Sequence, residues 1–211
     1  NIMGDKETIE LGTFGAFAVG KSCFVIQFVK NTFVEDHDPT MEDFYETSKK
    51  VGDSAIDFTI YDTSGNEQYT ALADEHMQTV EGFFLIYSVI DEGSFEKIKT
   101  LQQKITLVKK TKNVPIVLVG NKVDLVDDRK VSTEKGQQLA NDFGCAFIET
   151  SAKTRYNIDA AFELMVQQVQ KARSSNNNGS TSRSSTLSPS SDSKQSGKSP
   201  AKNGKDKCAL Q

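Results

Sequence analysis

An α/β fold, with a mostly parallel sheet covered by helices on both faces, is predicted by two apolar patterns that alternate along the chain. Phe83-Phe84-Leu85-Ile86-Tyr87 and Ile116-Val117-Leu118-Val119 are short, nearly unbroken apolar runs, as expected of strands buried on both faces. Between them Phe95, Ile98, Leu101, Ile105 and Val108 recur at three and four residues, and Ile158, Phe162, Met165 and Val169 do so later; each series lays an apolar stripe along a helix. Ile56, Phe58 and Ile60 alternate as in a further strand, and Ser132 and Gly144 are placed to cap a helix at its start and end. In such a sheet, ligands gather at the C-terminal ends of the strands.

The 211 residues, 36% hydrophobic and 26% charged, suit one ordinary globular domain with some length left over. No stretch reaches the ~18 consecutive apolar residues of a membrane-spanning helix. The cysteines Cys23, Cys145 and Cys208 are odd in number and lack metal-ligand spacing, which argues against a disulfide framework or a zinc site and for a chain folded in the cytosol. Composition changes at Ser174: from there to Gln211 stand twelve serines and an Asn176-Asn177-Asn178 run, too little apolar surface to offset the entropy of ordering. The expected organisation is one domain from Thr8 to Arg173 and a disordered tail from 174 to 211. The net charge of -4 conceals an asymmetry, because the tail carries six basic and two acidic residues. An acidic body argues against nucleic acid as partner, whereas a basic tail suits anionic lipid.

Gly15-Ala16-Phe17-Ala18-Val19-Gly20-Lys21-Ser22 fits the G-x-x-x-x-G-K-[ST] loop, between a predicted strand from Ile9 to Phe14 and an apolar helix from Cys23 to Val29. Such a loop turns successive backbone N–H groups toward phosphate oxygens; Lys21 supplies a charge to the outer phosphates and Ser22 a hydroxyl to Mg²⁺. The loop alone also serves ATPases and kinases. Asn121-Lys122-Val123-Asp124, directly after the strand at 116–119, points to guanine. A carboxylate there accepts from both the ring N–H and the exocyclic amine of guanine, a pair that adenine does not offer, and the Lys122 stem can lie along the ring.

Together with Asp38-Pro39-Thr40-Met41-Glu42-Asp43, Asp62-Thr63-Ser64-Gly65, Glu149-Thr150-Ser151-Ala152-Lys153 and Cys208-Ala209-Leu210-Gln211, these motifs resemble the Ras family of small GTPases. The likeness covers the body from about Thr8 to Arg173 and the last four residues. It implies a P-loop NTPase fold with a six-stranded, mostly parallel sheet, and a switch that binds GTP or GDP with Mg²⁺. By the same resemblance the nucleotide contacts would extend from the phosphate loop to Cys23, and Phe33 would cover the guanine ring. Ser151, Ala152 and Lys153 would line the base pocket. Ser22, Thr40 and Asp62 would serve the metal. Gly65 would give its N–H to the γ-phosphate, and Lys21, Thr40, Gly65 and Asn66 would carry hydrolysis. The segment His37, Asp38, Pro39, Thr40, Met41, Glu42, Asp43, Phe44 and Tyr45 would meet effector proteins, and an exchange factor and a GTPase-activating protein are implied as regulators.

Four positions depart from the Ras pattern. Phe17 stands where that branch has glycine, Asn66 where it has the water-orienting glutamine, Ser64 where it usually has alanine and His37 where it has tyrosine. Catalysis of this reaction is mostly positioning and charge stabilisation, so a shortened amide and a phenyl ring in the path of an arginine finger both act on rate. The expectation is a slow GTP-hydrolysing switch; the alternative is a binding module that holds GTP with negligible hydrolysis. Gly12 and Thr13 interrupt the first strand, which predicts weaker packing there.

Cys208-Ala209-Leu210-Gln211 fits a farnesylation signal, with five lysines in the fourteen residues from 194 to 207. One lipid chain anchors only marginally, so the lysines would supply the second signal, placing the protein on the cytoplasmic side of the cell membrane. The base assignment carries a test: Asp124→Asn should weaken GTP binding and strengthen binding of xanthosine nucleotides, because an amide donates where xanthine carries an oxygen. Competition titrations that find ATP bound as tightly as GTP by the unaltered protein would reject guanine specificity.

Overall fold

The computed structural model describes residues 7–34, 42–52, 54–65, 70–111 and 113–178. Its element order is β1 (Glu7–Phe14), α1 (Lys21–Lys30), β2 (Glu42–Val51), β3 (Ser54–Thr63), α2 (Thr70–Thr79), β4 (Gly82–Ser88), α3 (Glu92–Lys109), β5 (Ile116–Asn121), α4 (Thr133–Phe143), β6 (Ala146–Glu149) and α5 (Ile158–Asn178). The six strands lie in the order β2-β3-β1-β4-β5-β6. All pairings are parallel except the β2–β3 hairpin, which turns through Gly52 at φ 59°.

The unbroken apolar runs follow from the two-sided sheet. In β4, Phe84 and Ile86 enter one core with Phe24 and Phe28 of α1 and Phe162 and Met165 of α5. Phe83, Leu85 and Tyr87 enter the other, with Met77 of α2, Ile98 and Ile105 of α3 and Leu139 of α4. Successive strand side chains point to opposite faces, so a strand in this position has no solvent side and every residue of β4 is buried. The helix ends obey capping chemistry. Asp91 accepts from Gly93 N before α3, Ser132 accepts from Lys135 N before α4, and Gly144 closes α4 in the left-handed region.

Gly12 leaves no hole in β1. A Cβ there would lie 2.5 Å from the Phe14 ring, which folds back over the glycine and stacks on Phe83 at 5.6 Å. The packing loss expected at this glycine therefore does not arise, because an aromatic ring two residues on fills the space.

Helix α5 runs through Ser174 to Asn178, five residues beyond the domain end read from composition. Ser174 and Ser175 donate their hydroxyls to the carbonyls of Gln170 and Lys171, at 2.9 Å each; by back-bonding within the helix these serines are accommodated at its end. One turn earlier, Arg173 donates to Glu7 at 2.7 Å, to Glu81 at 2.6 Å and to the Thr8 carbonyl at 2.9 Å. These contacts fasten α5 to the N-terminal ends of the sheet. Each ion pair is partly exposed and stabilises little alone; their geometric effect is to set where the helix ends.

Phe162 is the hub of the larger core. Its ring lies 3.5 Å from that of Phe28, 4.8 Å from Phe84 and 5.3 Å from Phe24, centroid to centroid. Phe162→Ala should therefore destabilise the domain by about 3–5 kcal/mol, seen as a lower urea midpoint with an unchanged slope.

Candidate functional site

Three loops leave the C-terminal ends of β1, β5 and β6 and meet around a cleft of about 410 Å³. The first, 15–20, joins β1 to α1. Gly15 lies so close to β4 that a Cβ would stand 2.1 Å from the Ile86 carbonyl, and Gly20 caps α1 at φ 91°. Ala18 also takes a left-handed conformation, at φ 59°, which costs a non-glycine residue about 1–2 kcal/mol. Lys122 and Asn121 brace this loop from β5: Lys122 Nζ donates to the Ala18 carbonyl at 2.7 Å and Asn121 Nδ2 to the Val19 carbonyl at 2.9 Å.

Asn121 is buried and also fixes the third loop, since its Oδ1 accepts from Thr150 Oγ1 and from Ala152 N, both at 3.2 Å. The Ala152 carbonyl in turn accepts from Gln27 Nε2 at 2.7 Å, so α1 grips the same loop. Asp124 faces the cleft, and Ser151 Oγ donates to its Oδ1 at 2.6 Å. The carboxylate is thereby held in one orientation.

Of the sequence-predicted positions, Phe17, Ala18, Gly20, Lys21, Ser22 and Cys23 line one side of the cleft, with Phe33 and Gly65 beside them. Asn121, Lys122, Asp124, Ala152 and Lys153 line the other. Ser151 is fully buried and works through Asp124 instead of forming wall. Gly15, Ala16 and Val19 shape the loop from behind. Asp62 is buried at the end of β3. Gly65 presses on the first loop: a Cβ would lie 2.4 Å from both Ala16 C and Phe17 N. In the effector segment, Phe44 stands exposed on edge strand β2. Tyr45 packs under Lys30 Nζ, 5.6 Å above its ring, and burial with the Asp43 charge pushes its hydroxyl up to about 12. Asp43 is exposed, and Glu42 begins β2. His37, Asp38, Pro39, Thr40, Met41, Asn66 and Cys208 lie outside the described residues.

The Ras family model matches residues 11–171. The Ras-like protein rasS of Dictyostelium discoideum is 43% identical over 175 residues, covering 83% of this chain and 90% of its own length. The GTP-binding protein Rit1 of Mus musculus is 43% identical over 162 residues, covering 77% and 74%. A Ras-like protein of Laccaria bicolor is 43% identical over 162 residues, covering 77% and 78%. The chain belongs to the Ras family. It is a Ras-like small GTPase, a guanine-nucleotide-binding signalling switch.

In this Ras-family domain Gln27, Thr150, Thr63 and Leu125 also build or line the cleft, and none of them stands out in the sequence as a site residue. Thr63 and Thr150 sit inside the Asp62–Gly65 and Glu149–Lys153 motifs, so their positions carried a signal; Gln27 lies in the middle of α1 and carries none.

Lys21 is 6% exposed and donates to the Ala16 carbonyl at 2.9 Å. Burial lowers its pKa to about 8, against an opposing pull from Asp62. Between about pH 8 and its ordinary value near 10.5, the unfolded chain keeps a proton that the folded one has released, so folding stability rises with pH across that window. The contribution of Lys21 to urea resistance in ligand-free protein should therefore grow between about pH 8 and 10.5, against the opposite trend from the raised hydroxyls of Tyr45 and Tyr87 and thiols of Cys23 and Cys145. Lys21→Met should remove that component, read as the difference between the two pH profiles.

Proposed function

We propose that this Ras-family protein is a membrane-anchored switch that binds GTP or GDP in the cleft and hydrolyses GTP slowly, and the observation that carries this reading is the place of Phe17. Its side chain is 60% exposed on the cleft wall, and its backbone N touches Gly65, the glycine of the Asp62-Thr63-Ser64-Gly65 turn. A ring at that junction occupies the approach through which a partner's guanidinium would reach the terminal phosphate.

The other side chains divide the work. Asp124, oriented by Ser151, reads the guanine edge, and Lys122 and Phe33 flank the ring. The Lys21 ammonium faces the phosphates, whose charge favours its protonated state against burial, and the N-terminus of α1 adds its own positive end. The hydroxyl of Ser22 is a hard oxygen donor of the kind magnesium takes, Thr40 would contribute another, and the buried carboxylate of Asp62 would hold a water on the ion. Magnesium held there would neutralise charge on the phosphate oxygens. Gly65 and Thr40, by backbone contacts to the terminal phosphate, would couple GTP to the shape of the segments at 33–45 and 64–79, which effectors read. Support for the anchor is the Cys208-Ala209-Leu210-Gln211 ending behind a basic stretch.

Single-turnover hydrolysis tests the rate. The unaltered protein should be slower than Ras proteins carrying glycine and glutamine, and a Ras-type activating protein should accelerate it little, against the roughly 10⁵-fold acceleration of the intact arrangement. Phe17→Gly with Asn66→Gln should restore sensitivity, whereas either change alone should restore only part, because the two positions act together. Full acceleration of the unaltered protein would overturn the proposal. For the anchor, Cys208→Ser should shift the protein from membrane to soluble fractions, and neutralising tail lysines should weaken attachment by about 1 kcal/mol per charge.

A further inference from the structure

The C-terminal half of β1, from Leu11 to Phe14, is buried throughout, yet it carries a threonine hydroxyl. Thr13 is 0% exposed and stands directly opposite Asp62 in the parallel register of β1 and β3. Its Oγ1 donates to Asp62 Oδ1 at 3.0 Å. The attachment is reciprocal, because Thr63 Oγ1 donates to the Thr13 carbonyl at 2.6 Å. A buried hydroxyl in the middle of a sheet costs free energy unless it is hydrogen-bonded, and here the carboxylate of the next strand supplies the acceptor.

We propose that Thr13 is a positioning residue for divalent cation, its hydroxyl holding the Asp62 carboxylate in the orientation from which that carboxylate serves the magnesium accompanying bound nucleotide. The inference rests on the reading of Asp62 as a magnesium-side residue, and the donor set fits: a carboxylate buried at the end of β3 beside the first turn of α1, with Ser22 in that turn. Groups that hydrogen-bond a metal-serving carboxylate fix its rotamer, and their loss typically costs 10–100-fold in metal affinity. The interaction also accounts for a polar residue in the buried half of β1, since valine would fill the same space but leave Asp62 Oδ1 without this donor.

The test is the release of a fluorescent GDP analogue from the full chain, followed as a function of free Mg²⁺, together with a direct Mg²⁺ titration of the nucleotide-bound protein. Thr13→Val should raise the Mg²⁺ concentration that half-suppresses release by about tenfold or more, whereas Thr13→Ser, which keeps the hydroxyl, should behave as the unaltered protein. Should Thr13→Val not fold, Thr13→Ala removes the same donor and is read in the same way. An unchanged midpoint in the hydroxyl-free variant, or an equal shift in Thr13→Ser, overturns the inference. Asp62→Asn separates the two levels. If it moves the midpoint while Thr13→Val does not, only the role of Thr13 is wrong; if it leaves the midpoint unmoved, the magnesium-side reading of Asp62 fails as well.

Discussion

The side chain of Asn121 is the constraint on which the site depends. Its amide donates to the carbonyl of Val19 while its oxygen accepts from Thr150 and Ala152, so one buried residue on β5 sets the distance between the loop after β1 and the loop after β6. Neither loop could hold its shape alone. The first contains a left-handed alanine and three glycine-free positions between Gly15 and Gly20 beyond it; the other has backbone groups that would be unsatisfied if the amide were withdrawn. An apolar substitute would strand several buried polar atoms at once, and such losses are felt at full desolvation cost.

That constraint explains why the cleft is built from distant parts of the chain. Gln27 secures Ala152 across 125 residues and Lys122 reaches Ala18 across 104. The sheet makes these reaches short. Parallel strands β1, β4, β5 and β6 all end at the same edge, so the loops that follow them converge whatever their separation in sequence. Charge is then balanced locally: Lys21 gives up part of its affinity for a proton to burial, and Asp62 partly restores it.

Much of this was legible in the sequence, for reasons that differ by element. The central strands announced themselves because burial on both faces demands apolar residues throughout, and α3 and α5 because one face must be apolar. Edge strand β2 did not. Asp43, Glu46 and Lys50 are exposed, while half-buried Lys49 lays its ammonium over the Phe28 ring, and the charged pattern there looks like a loop. Strand β6, at four partly buried residues, is too short for periodicity. The phosphate and guanine motifs were readable because their chemistry is local, whereas the work of Gln27 and Thr13 depends on partners that only the folded register supplies. Composition changes at Ser174, yet α5 continues to Asn178, because serines that favour coil in isolation can donate back into a helix already held by Arg173.

The clamp at Arg173 gives the domain a polarity. Helix α5 begins beside the loop that carries Ser151 to Lys153 and finishes against Glu7 and Glu81, at the far pole of the sheet. The 21 residues from Ile158 to Asn178 carry the chain roughly 30 Å along that axis. The chain therefore leaves the described domain at the pole opposite the cleft, so the end of α5 stands clear of the loops that build the nucleotide site.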